Sequence, residues 1–166
     1  FLLAAGHKKI GHIAGWQGAS TQRDREAGFI STLAEAGIAL KAQAKGEFEM
    51  EKAAEATREM FAHDPPEAVF VANDHMALAV LDTLRFELGL RVPEDVSVVG
   101  YDDVPAASWP AYNLTTVRQP ANRMVTNTVK ILLDQIENNA GEPRRIAIDG
   151  PLIVRGTAKI PEGWTT

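Results

Sequence analysis

The sequence has no cysteine and no long apolar run. The absence of cysteine among 166 residues excludes a disulfide framework, a cysteine-ligated zinc site and thiol catalysis, and it fits a cytoplasmic protein. No apolar run reaches the roughly 18–20 residues that a membrane-spanning helix needs. We therefore expect no membrane partner for this chain.

The sequence also has fewer basic residues than acidic ones. Asp and Glu total 22 against 17 Lys and Arg, which gives a formal net charge of −5. This balance argues against a nucleic-acid-binding module within the chain, because such modules normally carry a basic face. Hydrophobic residues make up 45%, close to the globular norm, so a packed core is expected.

The chain also lacks an initiator methionine. Residues 1–6 have the pattern of the last turn of a helix that ends on a glycine C-cap, Gly6. Such a helix has an end but no beginning. We therefore expect the chain to be truncated at its N-terminus.

Enzyme motifs are missing too. The sequence has no GxSxG, GxxxxGK[ST] or HExxH motif and no GxGxxG after a predicted strand. The four histidines show no metal-ligand spacing. A catalytic site, a bound metal and a cofactor are therefore not expected.

What the sequence does contain is an alternation of short apolar runs and amphipathic segments. Strands are predicted at 10–14, 38–45, 68–72 and 96–100, and helices at 20–36, 47–63 and 74–88. This alternation predicts an α/β fold with a parallel sheet flanked by helices. The prediction is completed by a short strand at 114–117, a helix from Pro120 that ends at 138–141 and a terminal strand pair at 146–154.

Polar and aromatic side chains follow each of the four predicted strands. In open parallel sheets, ligands bind beyond the carboxyl ends of the strands. Carboxylates and amides bind ligand hydroxyls, a guanidinium supplies a fixed set of donors, and an aromatic face covers a sugar ring. The sequence therefore predicts a site for a small polyhydroxylated ligand, lined by Trp16, Thr21, Arg23, Arg25, Phe48, Asn73, Asp74, Asp102 and Asp103.

Structural roles are alternatives for each of these residues. Asn73 and Asp74 are typical helix caps, and Asp102 with Asp103 is typical of a turn. An arginine in a first helical turn is unfavourable beside the helix dipole, so a specific partner is expected for Arg23 or Arg25, and Asp102 is the natural candidate. Trp16 and Phe48 could equally be partly buried packing residues.

Several segments resemble the lactose-repressor/galactose-repressor (LacI/GalR) family of transcription regulators. They are GHKKI at 6–10 with IAG at 13–15, REAGF at 25–29, PEAVFVANDHMA at 66–77, VPEDVSVVGYDD at 92–103, LTTVRQP at 114–120 and LIVRGT at 152–157. The resemblance covers nearly the whole chain, in order and at natural spacing. One departure is Gly15-Trp16, where the family has Gly-Pro.

The resemblance implies a type I periplasmic-binding-protein-like core of two α/β lobes, with a small-molecule effector in the cleft between them. It implies that residues 1–115 form the C-terminal lobe, 116–148 a segment crossing into the mostly absent N-terminal lobe, and 149–166 the return and tail. Operator DNA would bind an upstream helix-turn-helix that this chain does not contain. The family's allosteric coupling of effector and DNA binding would follow, with a sugar or sugar derivative as effector.

The resemblance also implies residue roles. Effector contacts fall on Arg25, Asn73 and Asp102, with Thr21, Phe48 and Gln119 as neighbours and Trp16 as an altered wall. A homodimer is implied through the helix from Met76 and the loop near Trp109. An exposed apolar patch formed by Leu78, Leu81 and Trp109 would mark that interface, and the alternative is that all three are core residues.

Three functional hypotheses follow. The first is the effector-binding part of a transcription regulator, and the second is a solute-binding protein of a sugar importer with the same fold. The third is a Mg²⁺-dependent phosphotransfer or hydrolase domain that uses Asp74, Asp102 and Asp103. If the chain is truncated, one apolar stripe on the last helix should be exposed, formed by Val125, Val129, Leu132, Leu133 and Ile136.

Overall fold

A computed structural model describes residues 1–138 and 146–164. Its centre is a six-stranded sheet in the order β2-β1-β3-β4-β5-β6. The strands are parallel except β6, which pairs antiparallel with β5. Their bounds are β1 Ile10–Ala14, β2 Ala42–Lys45, β3 Ala68–Val71, β4 Ser97–Asp102, β5 Thr115–Arg118 and β6 Leu152–Ile153. The predicted fold class is thereby confirmed.

The helices are α1 Ser20–Glu35, α2 Met50–Ala62, α3 Asp74–Asp82 and α4 Ala121–Asn138. A π-helical stretch, Thr83–Glu87, continues α3, and a single 3₁₀ turn spans Pro105–Ser108. Ser20 and Thr21 are residue types that favour helix N-caps, but neither caps α1. Ala19 occupies the N-cap position, and no side chain caps the helix.

Two apolar layers cover the sheet. On one face, α2 and α3 pack against the strands around Ile13, Val71 and Met76. On the other face, Leu33 and Phe29 of α1 pack against Phe70 and Val99. Burial on both faces explains why the central strands β1 and β3 are largely continuous apolar runs.

One imidazole lies within the second layer. The His12 side chain is buried, its Nδ1 donates to the Phe70 carbonyl at 2.9 Å, and its ring stacks on the Phe70 ring. Its Nε2 has no hydrogen-bond partner. Burial is the main cause that lowers the pKa of His12 below its ordinary value.

The apolar stripe of α4 is exposed, as predicted. Its members are 49–77% exposed: Val125, Val129, Leu132, Leu133 and Ile136. The sheet continues to Arg118, so the predicted start of the crossing segment at residue 116 falls within β5. The predicted helix end at 138–141 lies partly outside the described residues. The domain boundaries themselves remain predictions.

The expected apolar patch for dimerisation is wrong for two of its three residues. Leu78 is 6% exposed and Leu81 is 0% exposed, because both pack into the layer between α3 and the sheet. Trp109 is 56% exposed. Within the described ranges, no helix is long and apolar enough to cross a membrane.

Candidate effector site

The centre of the site is an ion pair at the carboxyl edge of the sheet. Arg25, in the second turn of α1, donates from Nη2 to Asp102 Oδ1 at 3.0 Å. Its Nη1 donates to the Ala72 carbonyl at 2.6 Å, and its guanidinium lies 3.9 Å from the centre of the Tyr101 ring. The predicted partnership of Arg25 with Asp102 is thereby confirmed. Because both side chains are largely buried, the guanidinium has one fixed orientation.

Gln119 completes this group from the segment after β5. Its Nε2 donates to the same Asp102 oxygen, and its backbone N–H donates to the Asp102 carbonyl at 3.2 Å. Thr21, Arg25 and Gln119 line a cleft of about 230 Å³, with Tyr101 on its wall. The structure therefore brings together four predicted residues: Thr21, Arg25, Asp102 and Gln119.

Asn73 and Asp74 have different roles. Asn73 is the N-cap of α3, where its Oδ1 accepts from the Met76 N–H at 3.0 Å. Its part in effector binding remains a prediction. Asp74 is buried and accepts from the Thr116 hydroxyl at 2.6 Å and the Val104 N–H at 2.9 Å. Burial raises the pKa of Asp74, although these hydrogen bonds oppose the rise.

Asp103 is held away from the cleft by two arginines. Arg118 Nε donates to its Oδ2 at 2.5 Å, and Arg155 Nη2 donates to its Oδ1 at 2.6 Å. Burial alone would raise the pKa of Asp103, but the hydrogen bonds from Arg155 and Arg118 outweigh it, and the pKa is lowered. Sequence reasoning missed both arginines, which lie 15 and 52 positions from Asp103 in the chain.

Two aromatic residues lie at the end of β1 and beyond β2. The Phe48 ring packs so closely on Gly15 that a Cβ there would come within 2.2 Å of it. Phe48 itself has a positive φ of 65°. The Trp16 side chain is more than half exposed and folds over Gly18. Their predicted contact with an effector has no direct test in this geometry.

A polar cluster under the β1–α1 loop was also missed by sequence reasoning. Glu26 accepts hydrogen bonds from the side-chain amides of Gln17, Gln22 and Gln43. These bonds lower the pKa of Glu26. Gln22 is fully buried and accepts from the Gly15 N–H at 2.7 Å.

Arg23 contributes to the same loop. Its Nη1 donates to the carbonyls of Gln17 and Gly18 at 2.9 and 3.1 Å. Arg23 therefore stabilises the loop, and of the two arginines predicted at this edge, Arg25 occupies the cleft.

The magnesium hypothesis finds no support in this arrangement. Asp74 is buried among hydrogen-bond donors, and the Asp103 carboxylate faces two guanidinium groups. Across residues 1–138 and 146–164, no group of three or more His, Cys, Asp or Glu side chains is placed to hold a metal ion.

Known proteins share the fold described above. The sheet, its flanking helices and the polar cleft at its edge define a periplasmic-binding-protein-like lobe, and residues 1–158 match the periplasmic binding protein-like domain family. The chain belongs to the LacI/GalR family of transcription regulators and corresponds to part of their effector-binding core.

Similar curated proteins are HTH-type transcriptional repressors named PurR. The protein from Photobacterium profundum is 38% identical over 157 residues, covering 93% of this chain and 47% of the relative. That from Vibrio vulnificus is 36% identical over 162 residues, covering 96% and 48%. The chain thus spans about half the length of the curated relatives it matches.

Similar solved structures are also regulators. The Lac repressor dimer bound to operator and the anti-inducer ONPF matches with a TM-score of 0.88 and 32% identity, covering 96% of this chain and 55% of that one. The complex of the transcriptional regulator CelR with cellobiose matches with a TM-score of 0.86 and 36% identity, covering 95% and 49%. The similar curated proteins named above are repressors.

Proposed function

We propose that this chain is the effector-binding part of a DNA-binding transcription regulator and that its cleft binds a small molecule between two lobes. The observation that carries this proposal is the group formed by Arg25, Asp102 and Gln119 at the carboxyl edge of a LacI/GalR-type sheet. A segment outside this chain would bind operator DNA, which fits the chain's net charge of −5.

The chemistry of the cleft favours a sugar or sugar derivative. A carboxylate and a guanidinium with fixed orientation can bind adjacent hydroxyls. Trp16 and Phe48 do not line this cleft, but they follow β1 and β2 and would offer flat apolar surfaces for a ring that extends toward them. A cellobiose complex is among the similar structures. A solute-binding protein of an importer would use the same fold, but the relatives named above are repressors.

Coupling to DNA requires a second state. An effector shifts an equilibrium between open and closed lobes only by its differential affinity for the two forms. The exposed stripe of α4 is the surface that we expect to pack within the other lobe, because soluble monomers seldom expose such a contiguous apolar face. When the cleft closes, α4 would then move together with that lobe.

The proposed regulator acts as a homodimer. Trp109 is exposed beside the 3₁₀ turn Pro105–Ser108, and Phe86, in the π-helical stretch that continues α3, is 81% exposed. Arg85 links these two regions by donating to the Ala111 carbonyl at 2.7 Å. Trp109→Ala should weaken dimerisation about tenfold or more in sedimentation experiments, and an unchanged dimer would contradict this interface.

The test of the site is calorimetry on the full-length protein with a panel of mono- and disaccharides that includes cellobiose. Saturable binding should be lost in both Arg25→Ala and Asp102→Ala. Arg58→Ala is the matched control, because Arg58 forms an exposed ion pair with Glu87 away from the cleft. Full binding by both cleft variants would refute the assigned site.

A further inference from the structure

We propose that Asp103, Arg118 and Arg155, here called the Asp103 cluster, are positioning residues that hold the Asp102 carboxylate in its effector-binding orientation. The inference rests on the proposed function, which identifies this edge of the sheet as an effector-binding site. It concerns residues that would not themselves need to touch the effector.

The backbone at the end of β4 is strained. Asp102 has a φ of 129° and Asp103 a φ of 59°, and neither residue is glycine. Two consecutive residues with positive φ are costly, and such conformations persist only where the surrounding structure fixes them. Strain of this kind concentrates at ligand sites. The turn therefore needs a restraint from its surroundings.

The Asp103 cluster provides that restraint. Each oxygen of the Asp103 carboxylate accepts from a different arginine, and the side chain is only 6% exposed. A buried carboxylate shared by two guanidinium groups is a strong, directional interaction. Because Arg118 ends β5 and Arg155 follows β6, the cluster joins the turn to two other segments of the sheet.

Arg155 is itself fixed by contacts that do not involve the cleft. Its Nη1 donates to the Leu114 carbonyl at 2.7 Å, and its N–H donates to the Thr115 hydroxyl at 2.9 Å. Because Arg155 is held against the sheet in this way, it restricts where the Asp103 carboxylate can lie. On the other side of the turn, Asp74 accepts from the Val104 N–H.

The consequence concerns the neighbouring carboxylate. With the turn fixed on both sides, Asp102 projects toward Arg25 and Gln119, which both donate to its Oδ1. If the Asp103 cluster is broken, the backbone can relax toward negative φ, and this rotates the Asp102 side chain away from Arg25. The C-terminal segment thereby contributes to the effector site through Arg155.

The test uses nitrogen-15 NMR of arginine side chains in the full-length protein without effector. Exchange of the Arg25 guanidinium protons with water should accelerate about tenfold or more in Asp103→Ala and Arg155→Gln, since each change removes a charge-assisted hydrogen bond. Asp103→Asn should give an intermediate rate, because asparagine tolerates positive φ and keeps one acceptor.

Two controls separate positioning from general destabilisation. The Arg58 guanidinium, paired with Glu87, should keep its exchange rate in all three variants, whereas partial unfolding would accelerate both arginines. Arg58→Gln should leave the Arg25 signal unchanged. Wild-type exchange at Arg25 in Asp103→Ala or Arg155→Gln would overturn the proposal, and so would parallel acceleration at Arg58. Because no effector is present, failure of the proposed function would appear separately, in calorimetry.

Discussion

At the carboxyl edge of the sheet, charged side chains are fixed by partners from several elements, whereas α4 presents a row of exposed apolar side chains. Arg25, for example, contacts three groups: the Asp102 carboxylate, the Ala72 carbonyl and the Tyr101 ring. The stripe of α4, by contrast, is 49–77% exposed. The charged groups of the first region have their partners within this chain, and the second region has the composition of an interface. The difference indicates that ligand-binding groups can be preformed in one lobe while closure depends on another surface.

The contrast between packed and exposed parts of the chain is tested most sharply by shortening one leucine in the core and one on α4. Leu81→Ala removes a fully buried side chain of α3 and should lower the free energy of unfolding by about 2–5 kcal/mol. Leu132→Ala on α4 should cost less than about 0.5 kcal/mol in this chain, because Leu132 is exposed. Urea unfolding of the two variants measures both values.

The same pair of variants sharpens the comparison in the full-length protein. If the other lobe covers α4, Leu132→Ala should become costly there, about 2 kcal/mol or more. An equally small cost in both forms would contradict the proposed covering of α4.

Acidification should lower the free energy of unfolding. Burial lowers the pKa of His12 and of His7, so the unfolded chain binds these protons more readily than the folded one. Stability is therefore highest above about pH 6.5, the ordinary histidine pKa, and it decreases as the pH falls below that value because the unfolded chain takes up these protons first. Urea unfolding at pH 7.5 and 5.5 should show this loss.

Substitutions at individual histidines identify which of them causes the loss of stability at low pH. His12→Phe keeps an aromatic ring in the stack with Phe70 and should reduce the loss of stability between pH 7.5 and 5.5. His63→Gln, at an exposed position, is the control and should retain it. A pH dependence that is unchanged in His12→Phe would show that His12 is not its source.

The smallest expected effect separates capping from binding at Asn73. Asn73→Ala removes the N-cap of α3 and should cost about 1 kcal/mol of stability, whereas Asn73→Ser keeps a cap and should cost only a few tenths. Calorimetry on both variants then isolates effector binding. If Asn73 contacts the effector, both lose affinity; if it is only a cap, Asn73→Ser binds like the wild type.

The sequence contained enough information for the sheet, because strands such as β1 and β3 are short apolar runs separated by amphipathic helices. It also contained the Arg25–Asp102 pair, since an arginine near a helix N-terminus needs a partner. The contacts of Asp103 with Arg118 and Arg155 could not be predicted, because they join distant segments and carry no periodic signal. The burial of Leu78 and Leu81 was misjudged because α3 is apolar on most of its surface, which periodicity cannot divide into core and interface.

The most direct test of the central claim is a crystal structure of the full-length protein with a sugar from the panel that binds it. The account predicts that sugar hydroxyls lie within hydrogen-bond distance of the Asp102 carboxylate and the Arg25 guanidinium. A sugar bound elsewhere, with the Arg25–Asp102 pair untouched, would contradict the account.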